Sequence, residues 1–245
     1  MPKLRITRFL QHPAECAVAS ASSVAHYYNK KIDYEQTRII AEDMISSEVT
    51  DGLYDGEIGL LFNLLGFKSV EIVSADLDCF DYTWNKLSHK KLIEELKHMG
   101  RLNADCRENC KSMAKFLNFD GYKNKLIIDY SFARYIKEYL TMRIPVIISF
   151  DWTMFLRMPK LNDKGVEDAM KGISEAHAVV ARGFDDKGVY IVDSHNEYYK
   201  YKRRRYRTGR YRIEWDDLMV IMGSSGTIIA PQNYDKRLLK YELVS

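Results

Sequence analysis

The sequence predicts an α+β fold, a helical half packed on an antiparallel β-sheet half, and three observations carry that expectation. In the first third of the chain apolar residues recur at helical spacing, as do Ile39, Ile40, Met44 and Ile45 over residues 34–46. Beyond residue 125 the pattern changes to short apolar runs separated by turn residues. Within that second part, residues 175–184 (EAHAVVARGF) and 189–194 (VYIVDS) are joined by Asp185-Asp186-Lys187-Gly188, the signature of a hairpin.

Taken in order, residues 11–28 (QHPAECAVASASSVAHYY) predict a helix opening at Cys16. Its small residues Ala17, Ala19, Ser20, Ala21 and Ser22 allow close approach to a neighbouring element. A helix over 34–46 follows, then a turn-rich loop at 50–56 and an apolar helix over 57–65 with Gly66 placed as its C-cap. The alternating FKSVEIVS (67–74) is a strand. Residues 75–124 are polar and mostly helical, with amphipathic helices at 89–99 and 105–117, and form an insertion that acts as a lid or packs on the side. Next come a strand in LIIDY, a helix capped by Ser131 and running to Met142, and a buried strand over 143–150. A loop over 151–174 leads to the hairpin. A basic hairpin turning at Thr208-Gly209, a helix starting at Asp216/Asp217 and a last strand over 226–230 close the chain. The expected organisation is one domain, 1–245, in two lobes: helical 1–74 with the helical insertion 75–124, and sheet-rich 125–245.

A hydrophobic content of 46% over 245 residues is enough for a sizeable core and excludes a disordered chain. There is no apolar run near the N-terminus and none approaching about twenty residues, so the expectation is a soluble, cytoplasmic protein with no transmembrane segment. Four cysteines (Cys16, Cys79, Cys106, Cys110) do not suggest a disulfide scaffold, and reduced thiols are expected. Cys106 and Cys110 lack a second Cys/His pair, so neither a metal nor another cofactor is expected. The net charge of +3 is uneven. Residues 198–212 (YYKYKRRRYRTGRYR) hold eight Lys/Arg and no acid, which leaves 29 basic against 34 acidic residues elsewhere. Five tyrosines interleave with those cations. Arg203, Arg204, Arg205 and Tyr206 are thus candidate substrate-binding residues. An anionic partner suits them, a nucleic acid, an acidic protein or a membrane surface. A solvated edge hairpin protected by like charges is the plainer alternative.

The chemistry starts at Cys16. Unpaired N–H groups and partial positive charge at a helix start favour thiolate, the nucleophilic form. Gln11 is placed to donate its amide to a developing oxyanion beside the Cys16 backbone N–H. His177 opens one strand of the predicted hairpin and Asp193 ends the other, so the carboxylate can orient an imidazole whose other nitrogen faces a thiol. His12 and His26 compete weakly for a catalytic role. His195 is expected to turn from Ser194 to the opposite face if the strand continues, and not to line the site. Trp215 is expected as a core anchor, with a lesser prospect of shielding the His177–Asp193 bond from water.

These residues resemble the papain-like cysteine peptidases, and within them the bacteriocin-processing, double-glycine-leader peptidases and their stand-alone relatives. The resemblance lies in Gln11 followed by Glu15-Cys16-Ala17, the 55–67 helix ending LLGF, the passage YIKEYLTMRIPVIISF, HAVVARGF and YIVDS. It implies a papain-like fold and a thiol hydrolase that cleaves a peptide or isopeptide bond in a peptide or protein substrate. In it Cys16 resembles the nucleophile, His177 the base and later acid, Asp193 the orienting carboxylate and Gln11 the oxyanion donor. Ala17 stands where the family usually has glycine, and Ser194 where it usually has proline after the aspartate. A papain-like acyltransferase with the same triad, or a non-catalytic binding protein acting through the 198–212 hairpin, are the alternatives.

Overall fold

A computed structural model describes residues 3–45, 52–162, 164–195, 208–223 and 225–239. Along the chain run α1 (Cys16–Tyr28), α2 (Tyr34–Met44), α3 (Asp55–Leu64), β1 (Phe67–Ser74), α4 (His89–Leu102), α5 (Arg107–Leu117) and β2 (Lys125–Ile128). Then follow α6 (Phe132–Thr141), β3 (Val146–Asp151), α7 (Trp152–Leu156), β4 (Ala176–Asp185), β5 (Gly188–Val192), β6 (Arg210–Glu214), α8 (Trp215–Met222) and β7 (Thr227–Tyr234).

The seven strands form one sheet in the order β2-β1-β7-β3-β4-β5-β6. It is mixed where the sequence predicted an antiparallel one. β1 and β2 run parallel, from Glu71↔Lys125 to Ser74↔Ile128, and the other neighbours are antiparallel. The cause is the α4–α5 segment between them, a crossover long enough to bring the chain back in its original direction. β1, from the helical half, thereby joins the same sheet as β7 from the far end of the chain.

Side chains alternate across this sheet and feed two cores. Ile147, Ala178, Val180 and Ile229 face the core beneath α1 to α5, while Ile148, Val179, Ala181 and Ile228 face the core beneath α6 to α8. Coverage of both faces explains why the central strand β3 reads as a continuous apolar run and not as an alternating one. α1 is buried from Ala17 to Ala25, and its small residues let it lie on β4, where Ser20 Oγ donates to Ala178 O at 3.0 Å.

The 75–124 segment belongs to the first core, contributing buried Leu96, Cys110, Met113 and Phe116. At Gly56 a Cβ would stand 2.4–2.5 Å from the Ser112–Met113 backbone, so only glycine allows α3 and α5 to approach this closely. Cys79 and Cys106 form a disulfide with Cα atoms 5.3 Å apart, which corrects the expectation of reduced thiols at those two positions. They are 27 residues apart, and only the fold brings them within bonding distance. Cys16 and Cys110 are free. Among the described residues no helix is long and apolar enough to cross a membrane.

Candidate active site

One edge of the sheet gathers the predicted site residues. β3 pairs antiparallel with β4 through Phe150↔His177 and Asp151↔Ala176, and β5 ends at Val192 opposite Val180. The C-terminal ends of β3 and β5 therefore meet the start of β4, and Asp193 follows directly after β5. Onto this edge α1 delivers its N-terminus.

Cys16 is the first residue of α1 and stays partly exposed while the helix behind it is buried. The N-cap residue, Glu15, makes no side-chain cap, and the first turn contains no acid. Nothing negative within that turn offsets the positive end of the helix dipole. The Glu15 carboxylate, only 1% exposed, turns instead to the Tyr34 hydroxyl and to Arg38 Nε at 3.0 Å. Ala14, just before it, has φ 61°, so the chain enters the helix through a left-handed residue.

The Cys16 thiol and the His177 ring act on each other electrostatically at the start of α1, and the Ala178 backbone acts on the sulfur as well. Burial by itself would raise the thiol pKa. The hydrogen bond and positive charge of His177, together with the Ala178 contact, outweigh it and hold Cys16 below the ordinary thiol value, although Asp193 opposes them. On the imidazole, burial favours the neutral form, but the charge and hydrogen bond of Asp193 and then the Cys16 thiolate prevail and raise its pKa well above the usual range. Each partner thus stabilises the charged form of the other.

His177 is 5% exposed and Asp193 0%. Asp193 Oδ1 lies 2.9 Å from His177 Nε2, which leaves Nδ1 for the thiol. The same oxygen accepts from His195 N at 2.8 Å, and Oδ2 accepts from the Tyr211 hydroxyl at 2.5 Å. Arg8 fastens the backbone of this loop, its Nε donating to Asp193 O and its Nη2 to His195 O, both at 2.6 Å. Gln11 lies against the next residue: its N donates to Ser194 O at 3.3 Å, and Ser194 Oγ donates to Gln11 Oε1 at 2.7 Å.

The shielding tryptophan is Trp152 and not Trp215. The Trp152 ring centroid is 4.2 Å from that of His177, whereas Trp215 donates to Asp185 O at 3.1 Å and carries Lys137 over its face. His195 departs from expectation as well. Its ring centroid is 5.9 Å from that of His177 and 5.5 Å from that of Trp152. Because β5 stops at Val192, strand alternation does not govern residue 195. His26 Nδ1 contacts Ile32 O at 2.7 Å, and His12 stands 3.8 Å from Glu15, so both serve the loops around α1. Arg203, Arg204, Arg205 and Tyr206 lie outside the described residues. Among the described residues no group of three or more His, Cys, Asp or Glu is gathered as metal ligands would be.

The α+β architecture is that of the papain-like cysteine peptidases. More narrowly, the Peptidase_C39 like family matches residues 63–219, and the chain belongs to that family, whose members resemble the bacteriocin-processing peptidases. The matched stretch includes His177 and Asp193, and Cys16 lies upstream of it. A crystal structure of a proposed C39-like peptidase from Bacillus anthracis is similar to this chain at 15% identity and a TM-score of 0.43, covering 96% of this chain and 100% of that one. No curated protein matches.

Proposed function

We propose that this protein, as a single catalytic domain, hydrolyses a peptide or isopeptide bond through Cys16, His177 and Asp193. The observation that carries the reading is the buried imidazole held by Asp193 on Nε2 and electrostatically coupled to a thiol at a helix N-terminus. The thiolate attacks the amide carbonyl carbon, and the Cys16 backbone N–H and the Gln11 side chain receive the oxyanion. His177 protonates the leaving amine as the C–N bond breaks. It then takes a proton from water, whose oxygen attacks the thioester and releases the carboxylate product and the Cys16 thiolate. Asp193 keeps the imidazole in the required orientation and offsets its positive charge, and Trp152 covers the ring.

Selective alkylation tests the assignment. Iodoacetamide should modify Cys16 far faster than Cys110, whose thiol burial pushes up to about 11. Cys16 is held below and His177 above their ordinary values, so the thiolate–imidazolium pair is favoured over the neutral pair. Alkylation should stay fast below the ordinary thiol pKa of about 8.5. It should slow at lower pH as the thiolate takes a proton. Cys16→Ala should remove all thioester formation and leave the fold intact. Equal, slow labelling of Cys16 and Cys110 would overturn the reading.

A further inference from the structure

We infer that Ser194 is a positioning residue that sets which end of the Gln11 amide faces the active site; the inference rests on the roles proposed above for Gln11 and Cys16. A glutamine side chain ends in an acceptor and a donor of nearly the same size, and rotation about its last torsion exchanges them at little cost. Only the NH2 end can receive an oxyanion. The carbonyl end in its place would repel one.

A serine hydroxyl can donate or accept, and in the structure the one beside Gln11 donates. Ser194 is 3% exposed, and its hydroxyl donates to Gln11 Oε1 at 2.7 Å, which directs Nε2 away from the serine. Among the described residues Nε2 has no other hydrogen-bond partner that would hold it. Ser194 is itself held in place. Arg8 binds the carbonyl on either side of it, Asp193 O and His195 O, and its own carbonyl accepts from Gln11 N. Gly209 is part of this arrangement, because a Cβ there would meet the Arg8 guanidinium at 2.1–2.6 Å. Two adjacent residues thus orient two different groups: Asp193 orients the imidazole and Ser194 the amide. A shift of this dipeptide would disturb the base and the oxyanion donor together.

The test compares two reactions of the same sulfur. In acylation by p-nitrophenyl acetate, the thiolate attacks the carbonyl carbon, an oxyanion forms, and p-nitrophenolate leaves with acetyl-Cys16 as the product. In alkylation by iodoacetamide, the thiolate displaces iodide at carbon and no oxyanion forms. Gln11→Ala should slow acylation roughly 100-fold, the size of one lost oxyanion donor. Ser194→Ala should slow it about tenfold or more, and the double variant should be no slower than Gln11→Ala, since residues acting as one unit are non-additive. Alkylation of Cys16 should stay within about twofold of wild type in all three variants. Wild-type acylation in Ser194→Ala with slow acylation in Gln11→Ala overturns the inference and leaves the proposed function standing. A parallel fall of acylation and alkylation in Ser194→Ala also overturns it, because the serine then supports the whole site. Acylation that survives Cys16→Ala instead overturns the proposed function.

Discussion

Two carboxylates at the same edge of the sheet are treated differently: Asp193, after β5, is fully buried, and Asp55, at the start of α3, is only partly so. Asp193 is fully buried and accepts from His177 Nε2, His195 N and the Tyr211 hydroxyl. Asp55 accepts from Thr227 Oγ1 at 2.7 Å, where β7 begins. Burial pushes the Asp55 carboxyl up to about 6, against the Thr227 hydrogen bond and with help from Asp76. The number of donors that meet a carboxylate decides its use. Well supplied, it can hold a charged imidazole in place; poorly supplied, it ionises only as pH rises through about 6 and serves as a structural tie between α3 and β7.

Removing the charge of Asp193 should have the largest effect. Asp193→Asn keeps the shape of the side chain but gives the imidazole no anion, and the acylation rate should fall by about 10²- to 10⁴-fold. The raised His177 pKa should drop in the same variant, with an NMR titration of the ring as the readout. A small change in either quantity would show that the three donors serve packing alone. Next is Tyr211→Phe, which removes one donor from the buried carboxylate and should lower stability by about 2 kcal/mol in denaturant unfolding. Its acylation rate should fall less than that of Asp193→Asn, because His177 and His195 N still hold Oδ1.

Asp55→Asn should give the smallest effect, and in the opposite direction. A carboxyl whose folded pKa is raised contributes stability below its unfolded value, and that contribution is lost as pH rises through about 6. Near pH 8 the ionised Asp55 is therefore a burden on the fold, and the asparagine should raise stability by about 1 kcal/mol, less than the full shift because the side chain is partly exposed, with no gain near pH 4. Equal stability of the two proteins at both pH values would show that Asp55 has solvation the comparison denies it.

How much of the site was legible depended on how local its signals are. Cys16 stood out because a run of small residues marks a helix start that must pack closely, and α1 does lie on β4 through Ser20. His177 and Asp193 stood out because the Asp185–Gly188 turn makes β4 and β5 a hairpin whatever the rest of the chain does. Trp152 had no such signal. It reaches the imidazole only because β3 pairs with β4 at Asp151↔Ala176, a register spanning a loop of more than twenty residues. Trp215, expected as a core anchor with a lesser prospect of shielding, is placed by Asp185 through the β5–β6 register at Gly188↔Glu214. The contacts of Arg8, Tyr211 and Ser194 had no local signal for the same reason, since each acts on a residue brought near by strand order and not by spacing.

Periodicity and turn chemistry alone determined most of the elements, the hairpin, the nucleophile candidate and the α+β class, because each depends on preferences that a few neighbouring residues express without the remainder of the chain. The parallel β1–β2 pair, the Cys79–Cys106 link, the tryptophan over the imidazole and the donors around Asp193 were decided only in three dimensions. Their partners lie up to 54 residues apart, as Glu71 and Lys125 do, and no local preference encodes which strand or side chain will be adjacent once two cores have closed on one sheet.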